Sequence, residues 1–500
     1  MPADLSPDRE SAWLQPQRAL GLLAVWLLAT LGLRPLLLPD EGRYATVARD
    51  MLQQGDGLVP LLNGLPFFHK PPLMYWLDMA AMAIVGVHPF SARFGSFVGA
   101  FVMGAAMFLA ARRWHGQRTA AVALSVLATT PFFFVAGQYA NLDMLVGGLI
   151  TASVLALVRA VDDERPALRW VVAGWALAAL AVLAKGLIGI VLPALVVGPW
   201  LLAQRRWRQV LALLHPAGIA VFALVALPWF VLMQLRYPGF YDYFIVEQHF
   251  RRYALASFNN VQGPWFFPVL LWITTLPWSG WLAWAVLDAH RGAAGIDPWR
   301  MALYGWWMVA VVVFFSLPAS KLIGYILPML APWCLWLGCA AAHRPRAWRI
   351  SLVVSALICV TAVAWLAWKP PHTTRAAARV LAAQMQPGDR VVFVDAMFYD
   401  VPFYAGLTQP PLVASDWADP DVPKRDNWRK ELYDAARFDP ARGKELLRPL
   451  DRLAELACHS HAVWFFVKPG GEARLSAVPG IVKVYADRDV LLWRSPARVC

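Results

Sequence analysis

Charge is scarce in this chain. Of its 500 residues only 15% are Asp, Glu, Lys or Arg, against about 25% in an ordinary soluble domain. A chain so composed cannot clothe itself in a polar surface, which excludes a water-soluble globule. Cysteine is also rare, and five in this length exclude a disulfide-stapled scaffold. Internal repeats and low-complexity tracts are missing, which sets aside solenoids, collagen-like rods and disordered polymers. Acids are outnumbered by bases, 32 to 45, for a net charge of +13. What is abundant is apolar: 59% hydrophobic residues, 26 Trp and a mean hydropathy of +0.49. These numbers describe an integral membrane protein.

Apolar runs long enough to cross a hydrocarbon core of ~30 Å lie near 19–38, 91–111, 118–136, 140–160, 170–184, 186–203, 211–233, 264–288, 300–318, 322–341 and 348–368. The expectation is therefore eleven spans. No small-residue cleavage site follows the mixed-charge head, so the first run reads as an anchor rather than a signal peptide. A further run, 72–87, is short and carries Asp78. The arginines decide its status. With 72–87 left out, alternate loops hold Arg112, Arg113 and Arg118; Arg159, Arg165 and Arg169; Arg205, Arg206 and Arg208; Arg291 and Arg300; and Arg344, Arg346 and Arg349. The positive-inside rule makes that face cytoplasmic. The segment 72–87 then reads as an in-plane helix at the outer interface. The basic excess is a matter of topology, and nucleic acid is excluded as a partner.

An odd number of spans places the end of the chain outside. From Lys369 onward charge returns. Four short runs read as strands (390–396, 462–468, 481–486 and 490–494), the last two as a hairpin across Asp487–Asp489, with helices over about 373–386 and 441–457. The expected fold class is mainly α: a polytopic membrane domain over 1–368, its first outer loop 39–90 carrying in-plane helices, followed by a small periplasmic α/β domain over 369–500. Cys334, Cys339 and Cys359 fall in spans. Cys458 and Cys500 fall in the outer domain, where a disulfide between them would close a loop of about 40 residues and add roughly 2–4 kcal/mol.

With this topology the ionisable residues of the outer face gather at helix ends: Asp40, Glu41, Arg43, Tyr44, His69 and Lys70; Asn141 and Asp143; Lys185; Glu247, His249, Arg251 and Arg252; Ser320, Lys321 and Tyr325. Charge at membrane depth is costly and faces a cavity. Carboxylates can orient or deprotonate an acceptor, and clustered Lys and Arg suit a phosphate. Plainer roles compete: Asp40 and Glu41 as acids at a helix N-terminus, Lys185 snorkelling to the interface, Asp143 as a helix-end residue, Arg251 and Arg252 on lipid headgroups. Their shared sidedness favours one outward-facing site for a lipid phosphate.

The stretches Pro39-Asp40-Glu41-Gly42-Arg43-Tyr44-Ala45, Gly55-Asp56-Gly57, Asn63-Gly64 and Lys70-Pro71-Pro72-Leu73-Met74-Tyr75-Trp76 resemble the bacterial lipid-linked-sugar glycosyltransferases related to the lipid A aminoarabinose transferase. These are grouped with the protein O-mannosyltransferases under the GT-C fold. Phe90-Ser91-Ala92-Arg93, Asn141-Leu142-Asp143-Met144, Ala184-Lys185-Gly186, Glu247-Gln248-His249-Phe250-Arg251-Arg252, Ser320-Lys321 and Tyr325-Ile326-Leu327-Pro328 continue the resemblance in order over about 19–340. It implies an inverting transfer from a polyprenyl-phosphate sugar, usually undecaprenyl-phosphate, to an envelope acceptor such as lipid A, at the periplasmic face of the bacterial inner membrane. It puts Asp40 and Asp143 on the acidic positions, and Lys70, Lys185 and Arg252 on the lipid phosphate. Tyr325 falls near the substrates; Glu41, Arg43, Tyr44, His249, Arg251 and Lys321 are read as substrate-binding from the outer face they share. No cofactor is required. His69 stands where the family has Glu, and a His69–His249 pair could ligate a divalent metal, although two ligands do not close a zinc site. A transporter or a non-catalytic binder of the same lipid is the rival reading; against the transporter, the charges gather on one face and no repeat symmetry is present.

Overall fold

In hydrocarbon every backbone amide must be paired within its own segment, so apolar runs fold as helices. The computed structural model describes residues 15–163, 166–251, 260–292, 297–476 and 478–497, with the backbone alone at 249–251. Seven helices among the described residues are long and apolar enough to cross a membrane: Ser91–Thr129, Leu142–Ala160, Leu168–Lys185, Pro216–Arg236, Pro298–Ser316, Ile323–Ala342 and Pro345–Trp368. The chain is a multi-pass membrane protein.

Seven differs from the expected eleven for local reasons. The run 91–111 and most of 118–136 fall in one helical segment, Ser91–Thr129, broken at Gly116 (φ 82°, ψ 169°), a conformation glycine adopts without strain. The run 264–288 is a pair of helices, Phe266–Thr274 and Trp278–His290, bent by 99°. Pro16–Leu28 and Ile188–Ala203 are helical but shorter than a full crossing.

The 39–90 loop carries two helices, Asp40–Gln54 and Leu73–Val85. The second has 13 residues, about 20 Å at 1.5 Å per residue, too short to cross. Its Asp78 is buried and accepts a hydrogen bond from the Gly95 amide at 2.7 Å, which ties it to the next helix. Between the two helices, Leu61–Leu62 and Leu65–Pro66 pair as a tight hairpin. Asn63 and Gly64 both have positive φ there, as a type I′ turn requires.

The C-terminal domain is a six-stranded sheet in the order 447–449, 412–415, 390–394, 463–467, 491–495, 482–486. The first four strands are parallel, and the last two join by antiparallel pairing. All four expected strands are present, including the hairpin across Asp487–Asp489. Leu412–Ser415 and Leu447–Pro449 were not expected, and the second splits the expected helix 441–457 into Pro440–Leu446 and Leu453–Ala457. Strands of three or four residues leave too little alternation to read. Cys334, Cys339 and Cys359 are buried free thiols. Cys458 is disulfide-bonded, and Cys500 lies outside the described residues.

The sheet domain is docked on the 39–90 loop. Thr46 Oγ1 donates to the Tyr399 carbonyl at 2.6 Å, Tyr404 Oη accepts from the Leu36 amide at 2.7 Å, and Asn63 Nδ2 donates to the Pro411 carbonyl at 3.0 Å. Gly42 permits the approach: a Cβ there would lie 2.7 Å from Leu38 Cδ2 and 3.1 Å from the Asp400 amide.

Candidate active site

Where the docked domain meets the helix ends lies a cavity of about 800 Å³. Asp40, Arg43, Tyr44, His69, Lys70, Asp143, Lys185 and Tyr325 line it. Eight residues read from the sequence, spread over nearly 300 positions, thus face one space. The helices explain how. Asp40 opens helix Asp40–Gln54, with Arg43 one turn on. Asn141 caps helix Leu142–Ala160 by accepting the Asp143 amide at 2.9 Å, which sets Asp143 in the first turn. Lys185 is the last residue of its helix. Both acids sit at the positive end of a helix dipole and the lysine at a negative end, where each charge is favoured.

Two ion-pair assemblies organise the walls. Lys185 Nζ pairs with Asp143 Oδ1 and lies 4.6 Å from the centre of the Tyr325 ring. Gly324, beside that tyrosine, is pressed against the same carboxylate, so that a Cβ would stand 2.2 Å from Asp143 Oδ2. Opposite, the Arg43 guanidinium pairs with Asp40 Oδ1 through Nη2 and with Glu431 Oε1 through Nη1. Tyr399 donates its hydroxyl to Glu431 Oε2 at 2.5 Å. Burial disfavours the charge on Arg43, but Glu431 first, then the tyrosines and Asp40, hold its pKa well above the usual guanidinium value. Burial raises the Tyr44 and Tyr399 hydroxyls, Tyr399 with added push from Glu431. Both therefore stay protonated donors.

Some expected site residues lie elsewhere. Glu41 does not reach the cavity. It is wholly buried, paired with Arg34 and with Arg93 Nε at 2.8 Å, and it accepts the Leu37 and Ala140 amides at 2.9 and 2.8 Å. Asp40 faces the cavity and Glu41 the protein interior, the two lying about 100° apart around the helix. Burial would raise its pKa, but Arg93 and Arg34 bring it to about 2. Lys321 is only 4% exposed and spends its ammonium on the Gln262 and Pro318 carbonyls at 2.8 and 2.6 Å. Arg252 lies outside the described residues, as do the side chains of His249 and Arg251. The pairing of His69 with His249 falls under the same limit. His69 itself stacks on Phe67, ring centres 4.5 Å apart, and its ring lies 5.8 Å from that of Tyr243. Among the described residues no three His, Cys, Asp or Glu side chains cluster as metal ligands.

The sequence reading missed the upper wall. His372, Tyr399, Asp426, Trp428, Glu431 and Lys468 all line the cavity from the C-terminal domain. Asn427 caps helix Trp428–Ala436 by accepting the Arg429 and Lys430 amides, which aims the helix start and Glu431 at Arg43. No motif marked these residues, and only the docking of the sheet domain brings them in.

With this geometry, comparison with known proteins is informative. Residues 69–231 match the dolichyl-phosphate-mannose-protein mannosyltransferase family. The chain is 37% identical over 337 residues to undecaprenyl phosphate-alpha-4-amino-4-deoxy-L-arabinose arabinosyl transferase 2 of Pseudomonas fluorescens (strain Pf0-1), covering 65% of this chain and 60% of that protein. It is 35% identical over 331 residues to the corresponding transferase of Pseudomonas aeruginosa (strain LESB58), covering 64% and 58%. The crystal structure of ArnT from Cupriavidus metallidurans bound to undecaprenyl phosphate superposes with a TM-score of 0.81 at 23% identity, over 97% of this chain and 98% of that one. This chain is similar in sequence to these arabinosyl transferases and has the fold of the ArnT structure. It spans about three fifths of the length of the curated relatives it matches. The superposition takes in nearly the whole chain, so the docked sheet domain is part of the shared fold.

Proposed function

We propose that this chain is an inverting glycosyltransferase that moves a sugar from a polyprenyl-phosphate donor, undecaprenyl-phosphate in bacteria, to an envelope acceptor such as lipid A. The reaction is placed at the periplasmic face of the inner membrane. The observation that supports this most is that Asp40 and Asp143 face one cavity of about 800 Å³ together with Arg43, Lys70 and Lys185.

Phosphate leaves readily once its charge is held. Lys70 and Lys185 take the lipid phosphate as the bond from the anomeric carbon to the phosphate oxygen breaks, an electrostatic stabilisation that strengthens as charge develops. The acceptor oxygen attacks from the opposite face, which inverts the anomeric centre. If the acceptor is a hydroxyl, Asp40 or Asp143 receives its proton. If it is a phosphate, no proton need move, and the carboxylates hold the acceptor or a cationic sugar amine. Arg43 holds Asp40 in place for either task.

The test uses the purified protein with an undecaprenyl-phosphate-linked sugar and follows released undecaprenyl phosphate. Asp40→Asn and Lys70→Ala should each lower turnover at least ~10²-fold. Lys70→Ala should also weaken donor binding, and Asp40→Asn should leave it intact. Donor moved across a vesicle without release of undecaprenyl phosphate would make the protein a transporter. Donor bound but neither moved nor cleaved would make it a carrier.

A further inference from the structure

A second cavity, of about 550 Å³, opens on the outside of the helical domain. Helices Pro16–Leu28 and Pro345–Trp368 and the limb of Ser91–Thr129 beyond Gly116 form it. Its walls include Trp26, Val122, Trp348 and Leu352, with Arg118 and Arg349 at its margin. None of these belongs to the site above.

The polar groups on its walls are already satisfied. Trp26 Nε1 donates to the Ala128 carbonyl at 2.9 Å, and Trp348 Nε1 to Ser125 Oγ at 3.0 Å. Ser125 Oγ donates in turn to the Val122 carbonyl at 2.6 Å, and Thr129 Oγ1 to the Ser125 carbonyl at 2.7 Å. The interior therefore offers nothing for water to bond and is apolar to an occupant. The two arginines differ. Both are exposed, and among the described residues neither makes an ion pair. Both begin helical limbs at the basic end of the bundle. A smaller pocket of about 300 Å³, lined by Gln15, Pro16, Gln17, Arg112 and Gln117, lies at the start of the same first helix and beside the Gly116 break. Apolar walls, guanidinium groups without an ion pair among the described residues, and glutamine amides at the same helix start are complementary to one ligand chemistry: hydrocarbon chain, phosphodiester, polyol.

We propose that this groove is a binding site for an anionic glycerophospholipid. An acyl chain lies between Trp26 and Trp348, the phosphate sits on Arg118 and Arg349, and the headgroup hydroxyls reach the glutamines. Bidentate guanidinium contact favours a phosphodiester, and basic residues at the membrane surface draw anionic lipid. The bound lipid would clamp the short first helix onto the rest of the bundle.

Native mass spectrometry of the delipidated full-length protein tests this, with phosphatidylglycerol and phosphatidylcholine of the same chains as probes. Wild type should retain one phosphatidylglycerol at least ~10-fold more strongly than phosphatidylcholine. The double variant Arg118→Gln/Arg349→Gln should lose that preference, and Arg208→Gln, on another basic turn, should keep it. Ala121→Phe, which fills the groove and leaves both arginines, should also lose the retained lipid, so a misfolded arginine variant cannot decide the matter alone. Equal retention of both lipids by wild type, an unchanged double variant, equal loss in Arg208→Gln, or displacement by undecaprenyl phosphate in preference to phosphatidylglycerol would each overturn the proposal.

Discussion

Arg43 is ion-paired with Glu431, 388 positions further along the chain. The contact joins the first helix of the outer loop to a helix of the sheet domain, and it leaves the other arm of the guanidinium for Asp40. A carboxylate expected to do chemistry is thus held by an arginine that the second domain holds.

Glu431→Gln should keep the Tyr399 hydrogen bond and the fold but release one arm of Arg43. Turnover should fall at least ~10-fold, the scale for losing one preorganised electrostatic contact, with thermal unfolding little changed. Arg43→Lys should fail comparably, because one ammonium cannot fork between two carboxylates. Steady-state kinetics beside a melting curve check both; full activity in either removes the arginine bridge from the mechanism.

Gly324→Ala is a test of Asp143 that leaves its carboxyl chemistry intact. The added methyl would stand within 2.2 Å of Asp143 Oδ2, so the carboxylate must turn off Lys185. Misplacement on the ångström scale can cost ~10²-fold in rate. The expected result is a loss approaching that of Asp143→Asn, measured as turnover on the same donor. Unaltered turnover would show that the Asp143 position is not needed.

Glu41 is predicted to act on stability. Glu41→Ala leaves Arg34 and Arg93 buried without their acid and should destabilise the protein by about 3–5 kcal/mol, read as a fall in melting temperature in detergent. The pH dependence follows from its pKa, depressed to about 2 from an ordinary value of 4.5. A lowered acid stabilises the fold fully above the unfolded pKa, and that contribution fades as pH falls through the folded one. Wild type should therefore lose stability between about pH 4.5 and 2, and Glu41→Gln should be flatter over that window.

Sidedness has its own check. A cysteine replacing exposed Lys468 should react with an impermeant thiol reagent applied to intact spheroplasts. One replacing Arg206, on a basic turn, should react only after lysis. Labelling of position 206 in sealed spheroplasts would invert the topology and place the cavity in the cytoplasm.

The sequence reveals much of the cavity floor because each residue there is a charge at the end of an apolar run, where solvation makes charge conspicuous. Asp40, Lys70, Asp143 and Lys185 are legible for that reason. Glu41 carries the same signal and misleads, since sequence cannot tell a carboxylate facing a cavity from one facing two arginines inside the protein. Lys321 misleads likewise, its ammonium being taken up by backbone carbonyls. The upper wall was illegible for the opposite cause. Glu431 and Lys468 lie in a domain where charge is ordinary, so nothing sets them apart until the sheet domain packs. The short strands 412–415 and 447–449 were missed because three or four residues carry no period.

Gly42 and Gly64, where the sheet domain presses against the first loop, have a bearing on the order of events during synthesis. A ribosome delivers Asp40 and Arg43 to the membrane well before it makes Glu431. A nascent chain therefore holds a floor without a roof, open to water and with Arg43 unclaimed by its distant partner. Only when the final 130 or so residues have folded and seated against those glycines is the chamber closed.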